Sequence, residues 1–359
     1  IILSFGATIG KVGIAETNLA TKQGIAGIEL KDDKVFNLFF YYVLITKKNE
    51  LLRLTNQTTI PEIRPNIFIS KLSFLLPPLP EQHKIAEILE TVDNAIEKTD
   101  DIIEKYNRIK QGLMHDLLTK GIDENWQIRN EKTHKFKDSP IGRIPEEWEV
   151  MRLGEVAERI TNGFVYSFSN IKKDGIPITR IETISEGYID KNKLGYISEA
   201  LYPYVKKYQL KTGDILFSHI NSLEHVGKTA IYNNIPPFLI HGMNLLLLRF
   251  KNSMCYPFFL IYLLKKENIR NKIKNLSGQA VNQVSIKPSE LSNFKIPLPP
   301  LPEQERIATV LSQIDEVIEK EKAYKEKLEG IKKGLMEDLL TGKVRVNHLI
   351  EEESKDEIG

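Results

Sequence analysis

PPLPEQHKIAEILETVDNAIEKTDDIIEKYNRIKQGLMHDLLT at residues 77–119 returns as PPLPEQERIATVLSQIDEVIEKEKAYKEKLEGIKKGLMEDLLT at 299–341, offset by 222 residues without a gap and identical at 24 of 43 positions. A repeat of this fidelity means that one structural unit occurs twice in the chain. Each copy reads as a single long helix. Pro80 and Pro302 suit the first helical turn, where a missing N–H costs nothing, and Glu81 and Glu303 complement the positive helix end. Apolar residues then recur at alternating steps of four and three: Ile85, Leu89, Val92, Ile96, Ile103, Tyr106, Leu113 and Leu117, and in the second copy Ile307, Leu311, Ile314, Ile318, Leu328, Leu335 and Leu339. That spacing is the seam of a coiled coil, broken by Thr99 and Lys110 in one copy and by Glu321, Lys325 and Lys332 in the other. Gly121 and Gly342 supply stop signals. A helix of about 38 residues is roughly 57 Å long. Two such helices in one chain can pair antiparallel and hold what they connect at opposite ends; the alternative is that each packs only on its own lobe.

Fainter similarity extends upstream of each copy. Ile2-Leu3-Ser4 and Gly10-Lys11 echo Leu216-Phe217-Ser218 and Gly227-Lys228, FFYYVLITK at 39–47 echoes FFLIYLLKK at 258–266, and Leu54-Thr55-Asn56-Gln57 echoes Leu276-Ser277-Gly278-Gln279. The chain is therefore two copies of a variable lobe followed by a near-constant helix. Residues 142–214 have no counterpart in the first copy, and the opening IILSFGATIG, without methionine, reads as the middle of a strand. The expectation is an incomplete first lobe. The boundaries expected are 1–76 for the C-terminal part of the first lobe, 77–121 for the central helix, 122–141 for a polar linker, 142–297 for the second lobe, 298–342 for the C-terminal helix and 343–359 for a polar tail. Within the second lobe Trp148 is expected to anchor the edge and Leu153–Ile160 to form a short helix ended by Asn162-Gly163. IPITRIETI and GDILFSHI read as strands, and Pro257–Leu276 and Phe36–Leu54 as amphipathic helices. The fold class is α+β.

The chain has 359 residues, 41% of them apolar, enough for more than one core. One cysteine, Cys255, excludes a disulfide framework and a Cys-rich zinc site and suits a reducing cytoplasm. The apolar run FFLIYLL at 258–264 is too short to span a bilayer. The net charge of +2 hides an alternation. Lys and Arg outnumber Asp and Glu by 9 to 6 over 1–76 and by 21 to 14 over 143–297, but trail by 6 to 9 over 77–121 and by 7 to 10 over 298–342. Basic lobes suit a polyanion, because neutralising phosphates releases counterions. Acidic helices suit spacers and docking surfaces that do not lie along DNA.

PLPPLPEQxxIAxxL followed by a long helix and KGLMxDLLTG, in two near-copies, resembles the conserved regions of type I restriction–modification specificity subunits. So do IGRIPEEWEVMRLGEV at 141–156 and GDILFS…VGKTA at 213–230. The resemblance covers nearly the whole chain apart from the acidic tail after Asn347. It implies two target-recognition domains, the first incomplete, and two long helices forming an antiparallel coiled coil that sets the spacing of a bipartite, asymmetric double-stranded DNA site. It also implies modification subunits that use S-adenosylmethionine to methylate adenine, and a restriction subunit carrying an ATP-driven motor and nuclease with Mg. This chain itself is expected to hold no cofactor or metal, to be non-catalytic and cytoplasmic, and to have no membrane partner. Two other readings are a free-standing adenine methyltransferase and a scaffold-only or non-functional fragment.

Motifs that would give the chain chemistry of its own are all incomplete. GATIGKV at 6–12 has three residues between its glycines where a phosphate-binding loop has four, and SLEHVGKT at 222–229 has Ser222 in place of the first glycine. NNIPPF at 233–238 approaches the Asn-Pro-Pro-aromatic turn of adenine methyltransferases, but Ile235 interrupts it. His219, His225 and His241 fit no metal-ligand spacing and read as surface or DNA-facing residues.

Base readout needs Arg, Lys, amide or hydroxyl side chains on loops that reach base edges. In the second lobe the candidates are Arg180, then His219, Asn221, Ser222 and Lys228 after GDILF, then Gln279, Asn282 and Gln283. The first-lobe set is Thr8, Lys11, Gln57, Thr58, Thr59 and Arg64. Each is equally open to being an ordinary turn residue, and Lys172 and Lys173 suit phosphates. Arg180→Ala or Gln279→Ala is expected to weaken binding of the cognate duplex by about 1–3 kcal/mol. Unchanged discrimination between cognate and scrambled DNA removes the altered residue from the site.

Overall fold

A computed structural model of the chain describes residues 1–6, 8–31, 33–55, 62–276 and 284–350. They form two compact units, one from residues 1–105 with 318–359 and one from residues 106–317.

In the first unit, β1 (Ile2–Ser4) is the central strand of an antiparallel sheet, flanked by β2 (Val12–Gly13) and β3 (Ile25–Gly27). Helices α1 (Asn37–Thr46), α2 (Lys48–Arg53) and α3 (Pro65–Lys71) follow, then the first part of α4 (Leu79–Leu117). The helix expected over Phe36–Leu54 is thus broken at Lys47, whose N–H is shared between the carbonyls of Val43 and Leu44. Leu3, Phe39, Leu44 and Leu51 pack with Ile85 and Leu89 of α4 and with Met336, Leu339 and Leu340.

The second unit takes in the end of α4 and continues through β4 (Phe136–Lys137), β5 (Ile144–Pro145), β6 (Glu149–Arg152), α5 (Leu153–Val156), β7 (Ala157–Asn162), β8 (Ile176–Ile178) and β9 (Gly195–Ile197). Then come α6 (Tyr202–Val205), β10 (Ile215–Ser218), β11 (Ile220–Asn221), β12 (Thr229–Ile231), β13 (Leu245–Phe250), α7 (Pro257–Lys265) and α8 (Glu267–Lys274). After β14 (Val284–Ser285), α9 (Pro288–Ser292) and β15 (Lys295–Leu298), the start of α10 (Leu301–Leu340) completes it. Its main sheet has the order β12-β10-β13-β7, all antiparallel. The order β2-β1-β3 of the first unit is the order β12-β10-β13, so the faint upstream similarity reflects one strand arrangement used twice. The extra strand β7 and the small sheet β8–β9 come from the stretch without a counterpart. Trp148 is completely buried, as an anchor should be. The helix expected over Leu153–Ile160 is a single turn. Ala157–Asn162 is a strand because Arg159, Ile160 and Thr161 pair with Arg249, Leu248 and Leu247 of β13, and sheet pairing overrides a weak local helical pattern.

Both long helices are continuous, at 39 and 40 residues. Within the first unit Asp93 meets Lys332, and Asp100 meets Lys325 at 2.7 Å; seven residues forward in α4 is seven back in α10, so the two run antiparallel. Within the second unit Lys110 meets Asp315, while Glu303 accepts from the N–H of Ile122 at 2.9 Å, again in opposite directions. The seam residues Ile85, Leu89, Ile307, Leu311, Ile318 and Leu328 are buried; Val92, Ile96, Ile103, Leu113, Ile314 and Leu335 are half-buried, as a two-helix seam leaves them. The supposed interruptions have roles. Lys110, Lys325 and Lys332 are the cations of the ion pairs, and Thr99 is buried with its hydroxyl donating to the Ala95 carbonyl at 2.7 Å. Asp93 and Asp315, equivalent under the offset of 222, also accept from Tyr42 and Tyr262 at 2.8 Å, and Lys332 and Lys110 lie over those rings.

The segment expected to be a polar linker is pinned in the second unit. Arg129 is buried and pairs with the buried Glu303, donating to both carboxylate oxygens. In the first unit Arg345 grips the buried Glu81 the same way, with both contacts at 2.7 Å, and this holds the Glu81 carboxyl below its ordinary range. Gly121 has φ +70°, and a Cβ there would collide with Glu303, Arg129 and the Trp148 ring.

Two stability measurements check this account. Gly121→Ala is expected to cost about 2–4 kcal/mol, from left-handed strain and a displaced buried pair. Gly112→Ala, in open space on α4, should be neutral or stabilising; equal unfolding midpoints for the two would contradict the assignment. Burial pushes His219 and His241 down to about 4. Between that value and the usual 6.5 the unfolded chain binds more protons, so their contribution is complete above pH 6.5 and is lost as pH falls towards 4, by roughly 3 kcal/mol each. His219→Phe should flatten the fall in urea midpoint between pH 7 and 4.5; an unchanged slope rejects that role.

Candidate functional site

β10 leads out of the main sheet through Ser218 and His219, and the loop that follows returns at Lys228 to begin β12. Three backbone hydrogen bonds close it: Gly227 N–H to Ser218 O at 2.8 Å, Ser218 N–H to Lys228 O at 2.9 Å and Lys228 N–H to His225 O at 3.2 Å. The first unit repeats all three around a shorter loop: Gly10 N–H to Ser4 O at 3.1 Å, Ser4 N–H to Lys11 O at 2.9 Å and Lys11 N–H to Thr8 O at 3.2 Å. Gly10 and Gly227 have φ +79° and +77°, a backbone state that favours glycine at this return turn. The frame is constant while its contents differ in length and type.

A second segment is attached to each loop. β14 pairs with β11, and the Ile286 N–H donates to the His219 carbonyl at 2.9 Å. In the first unit the Ile63 N–H donates to the Phe5 carbonyl at 3.0 Å. The chain just after the expected Gln279, Asn282 and Gln283, and just after Gln57, Thr58 and Thr59, is therefore tied to the loop bearing the other candidates. Those six residues themselves lie outside the described residues.

Asn221 is half-buried and Ser222 exposed at the start of the second-unit loop. The Asn221 carbonyl oxygen accepts from the Ser222 N–H at 2.8 Å, and its amide donates to Ser218 Oγ at 3.2 Å, so its orientation is set from both ends. Lys228 is half-buried and donates to the Ser185 carbonyl. Thr8, Lys11 and Arg64 are exposed, with Thr8 sharing a hydroxyl hydrogen bond with Ser4 at 2.9 Å. Arg180 is not within a strand: β8 ends at Ile178, and Arg180 precedes a one-turn 3-10 helix, its N–H donating to Thr183 Oγ1 at 2.8 Å. Its guanidinium is half-buried beside Glu182 at 3.1 Å. Among the described residues no hydrogen bond joins Arg180 to the loop after β10.

The histidines are a correction. His219 and His241 are buried rather than outward-facing, because both follow directly from strand contacts of the core; only His225 is partly exposed. The His241 Nε2–H donates to the Leu245 carbonyl at 3.0 Å. Sequence reasoning also passed over Arg270, on α8, whose stem packs against Gly227 and whose guanidinium donates to the Glu224 carbonyl at 2.6 Å. The signal lay in the repeat: Lys48, 222 residues earlier, packs its stem against Gly10.

The catalytic look-alikes are structural. VGKT runs into β12, whereas a phosphate-binding loop opens a helix. In NNIPPF, the Pro236 carbonyl accepts from the Tyr232 hydroxyl at 2.5 Å. Cys255 is buried, its thiol pushed up to about 12, which leaves it a poor nucleophile. Among the described residues no group of three or more His, Cys, Asp or Glu could hold a metal ion, and no helix is long and apolar enough to cross a membrane.

Comparison with known proteins agrees with this arrangement. The profile of the family described as type I restriction modification DNA specificity domain matches residues 1–107 and 145–330. The putative type I restriction enzyme MjaX specificity subunit of Methanocaldococcus jannaschii is 49% identical over 210 residues, which are 58% of this chain and 49% of that protein. The MjaVIII specificity subunit of the same organism is 34% identical over 356 residues, 95% of this chain and 76% of that protein. The chain spans about half the length of the first of these relatives. In fold it resembles the type I restriction–modification S subunit of M. genitalium, with a TM-score of 0.60 and 20% identity over 94% of this chain and 82% of that one. With its twice-built lobe, its antiparallel helix pair and a family match over most of its length, the chain belongs to the type I restriction–modification DNA specificity domain family.

Proposed function

We propose that the chain reads DNA sequence without catalysing a reaction, as the specificity component of a type I restriction–modification complex. The observation that carries this reading is the loop frame built twice with the same three hydrogen bonds around different contents. A constant frame fixes where a loop tip stands, and the tip's own residues decide which base edges it matches. Two different tips suit the two unlike halves of a bipartite, asymmetric site. The candidates at the tips are Asn221, Ser222 and Lys228, with Gln279, Asn282 and Gln283, and in the first unit Thr8, Lys11, Gln57, Thr58, Thr59 and Arg64. Arg180 acts from a separate position, and Lys172 and Lys173 hold phosphates.

The partners in this reading are double-stranded DNA, modification subunits that transfer methyl groups from S-adenosylmethionine, and a restriction subunit using ATP and Mg, all in the cytoplasm. The acidic long helices offer the docking surface. Supporting the division of labour, the look-alike motifs here are a strand start and a turn.

Selection from a randomised duplex library by the chain with its modification subunit should enrich a site in two fixed parts. Replacing Asn221 and Ser222 together by alanine should then relax one part and leave the other. Enrichment of an undivided site would limit reading to one lobe, and enrichment of none with the modification subunit still captured would instead favour a scaffold role.

A further inference from the structure

Beneath the return turn of the second-unit loop lies a cavity of about 280 Å3, lined by Glu186, Gly187, Lys228, Thr229, Lys265 and Arg270 among others. Three of its walls carry cations, and they come from three places: the turn itself, the end of α7 and the first turn of α8. Among the described residues Glu186 is the carboxylate in the lining, and its oxygen is engaged by Lys193 at 3.3 Å. Two polar atoms in these walls are unusual. Thr229 is buried, and both its Oγ1 and the Arg270 Nε are shut from solvent with no hydrogen-bond partner among the described residues. A buried donor without a partner costs free energy, and native proteins keep such groups where a ligand, ion or water completes them. Lys274 stands beside the cluster and is held below the ordinary lysine range, by burial first and then by the charges of Arg270 and Lys228. Two carboxylates are near, Glu186 held by Lys193 and Glu224 acting on Lys274, and the cations Lys228, Lys265, Arg270 and Lys274 outnumber them.

The first unit carries a reduced version of the same device. Gly10-Lys11-Val12 stands where Gly227-Lys228-Thr229 does, and the stem of Lys48 lies against Gly10 as that of Arg270 lies against Gly227. A lysine on a positive-φ turn, backed by a helix cation 222 residues from its counterpart, therefore occurs in both copies.

We propose that this cavity is a phosphate site, filled by a backbone phosphate of double-stranded DNA when the adjoining loop meets the bases; the identity of that donor rests on the DNA-reading role proposed above. Lys228 and Arg270 neutralise the phosphate, and the Thr229 hydroxyl and Arg270 Nε–H donate to its oxygens. The contact anchors the loop at its return turn, so the tip residues Asn221 and Ser222 are set at a fixed height over the base edges. A phosphate contact of this kind contributes affinity and register, not sequence preference.

The test uses the whole chain and a random-sequence DNA duplex of about three helical turns. Binding is followed by fluorescence anisotropy over a series of KCl concentrations. Loss of one phosphate contact lowers the slope of log K against log salt by roughly 0.9. The double variant K228Q/R270Q should show that decrease, whereas K132Q, at an exposed position away from the cavity, should not. Thr229→Val keeps shape and charge, so it should weaken binding about three- to ten-fold at unchanged slope. If the unaltered chain binds the duplex but K228Q/R270Q and Thr229→Val both behave as K132Q does, the cavity is not a phosphate site and the DNA-reading role stands. Thermal unfolding in inorganic phosphate against chloride of equal ionic strength forms a second arm. If the unaltered chain fails to bind the duplex, a DNA backbone phosphate is not the donor. Stabilisation by phosphate that K228Q/R270Q abolishes then supports a site for free phosphate, and its absence overturns the site altogether.

Discussion

A buried glutamate at the start of each long helix, held by an arginine from the segment that follows the other helix, is the contact on which the remaining architecture depends. Glu303 with Arg129 and Glu81 with Arg345 are both fork-to-fork pairs, and the backbone N–H of Ile122 or Val346 adds a further donor. Removing a carboxylate from water is costly, and only a fully satisfied partner set offsets it. Each glutamate also sits where the positive end of a helix favours an anion. The consequence is positional: in each unit the beginning of one helix is tied to the chain leaving the other, so antiparallel order is enforced at the helix ends and not merely permitted along the seam.

Between those ends the seam adds register. Alternating apolar residues alone would tolerate a slip by one heptad, because the pattern repeats every seven residues. Asp93, Asp100 and Lys110 break that degeneracy, each meeting a lysine or aspartate of opposite charge. Tyr42 and Tyr262 extend the effect into the lobes. Each donates its hydroxyl to the aspartate of the helix pair and offers its ring to the paired lysine. Lobe and helix are thereby held by the same polar cluster, and this explains why the lysines that break the apolar pattern fall where they do.

The loops that follow β1 and β10 rest on this frame but are built by a different rule. Their closing hydrogen bonds are backbone to backbone and indifferent to side chains, apart from the glycine that the return turn favours. Side chains at the tip are therefore free to differ between the two units without disturbing the sheet beneath. His219 sits on the other side of that division, buried and neutral where the chain leaves β10. The DNA-reading role proposed for these loops needs both properties, a rigid support and a replaceable tip.

The amino-acid sequence by itself determined the twofold plan, the two long helices and their seam, since a gapless repeat and a 3.5-residue apolar period are local properties of the chain. It also marked Gly10-Lys11 and Gly227-Lys228 as equivalent. Other features were decided only by tertiary contacts. Ala157–Asn162 became a strand because a partner strand was available, and Arg129 left an apparent linker because a buried carboxylate required it. His219 and His241 turned inward because the strands around them close over those positions. Arg270 joined the loop from a helix, 46 residues beyond the Glu224 carbonyl to which it donates. Period and repeat survive in a one-dimensional string, whereas burial and charge pairing depend on which distant residues the fold brings within a few ångströms.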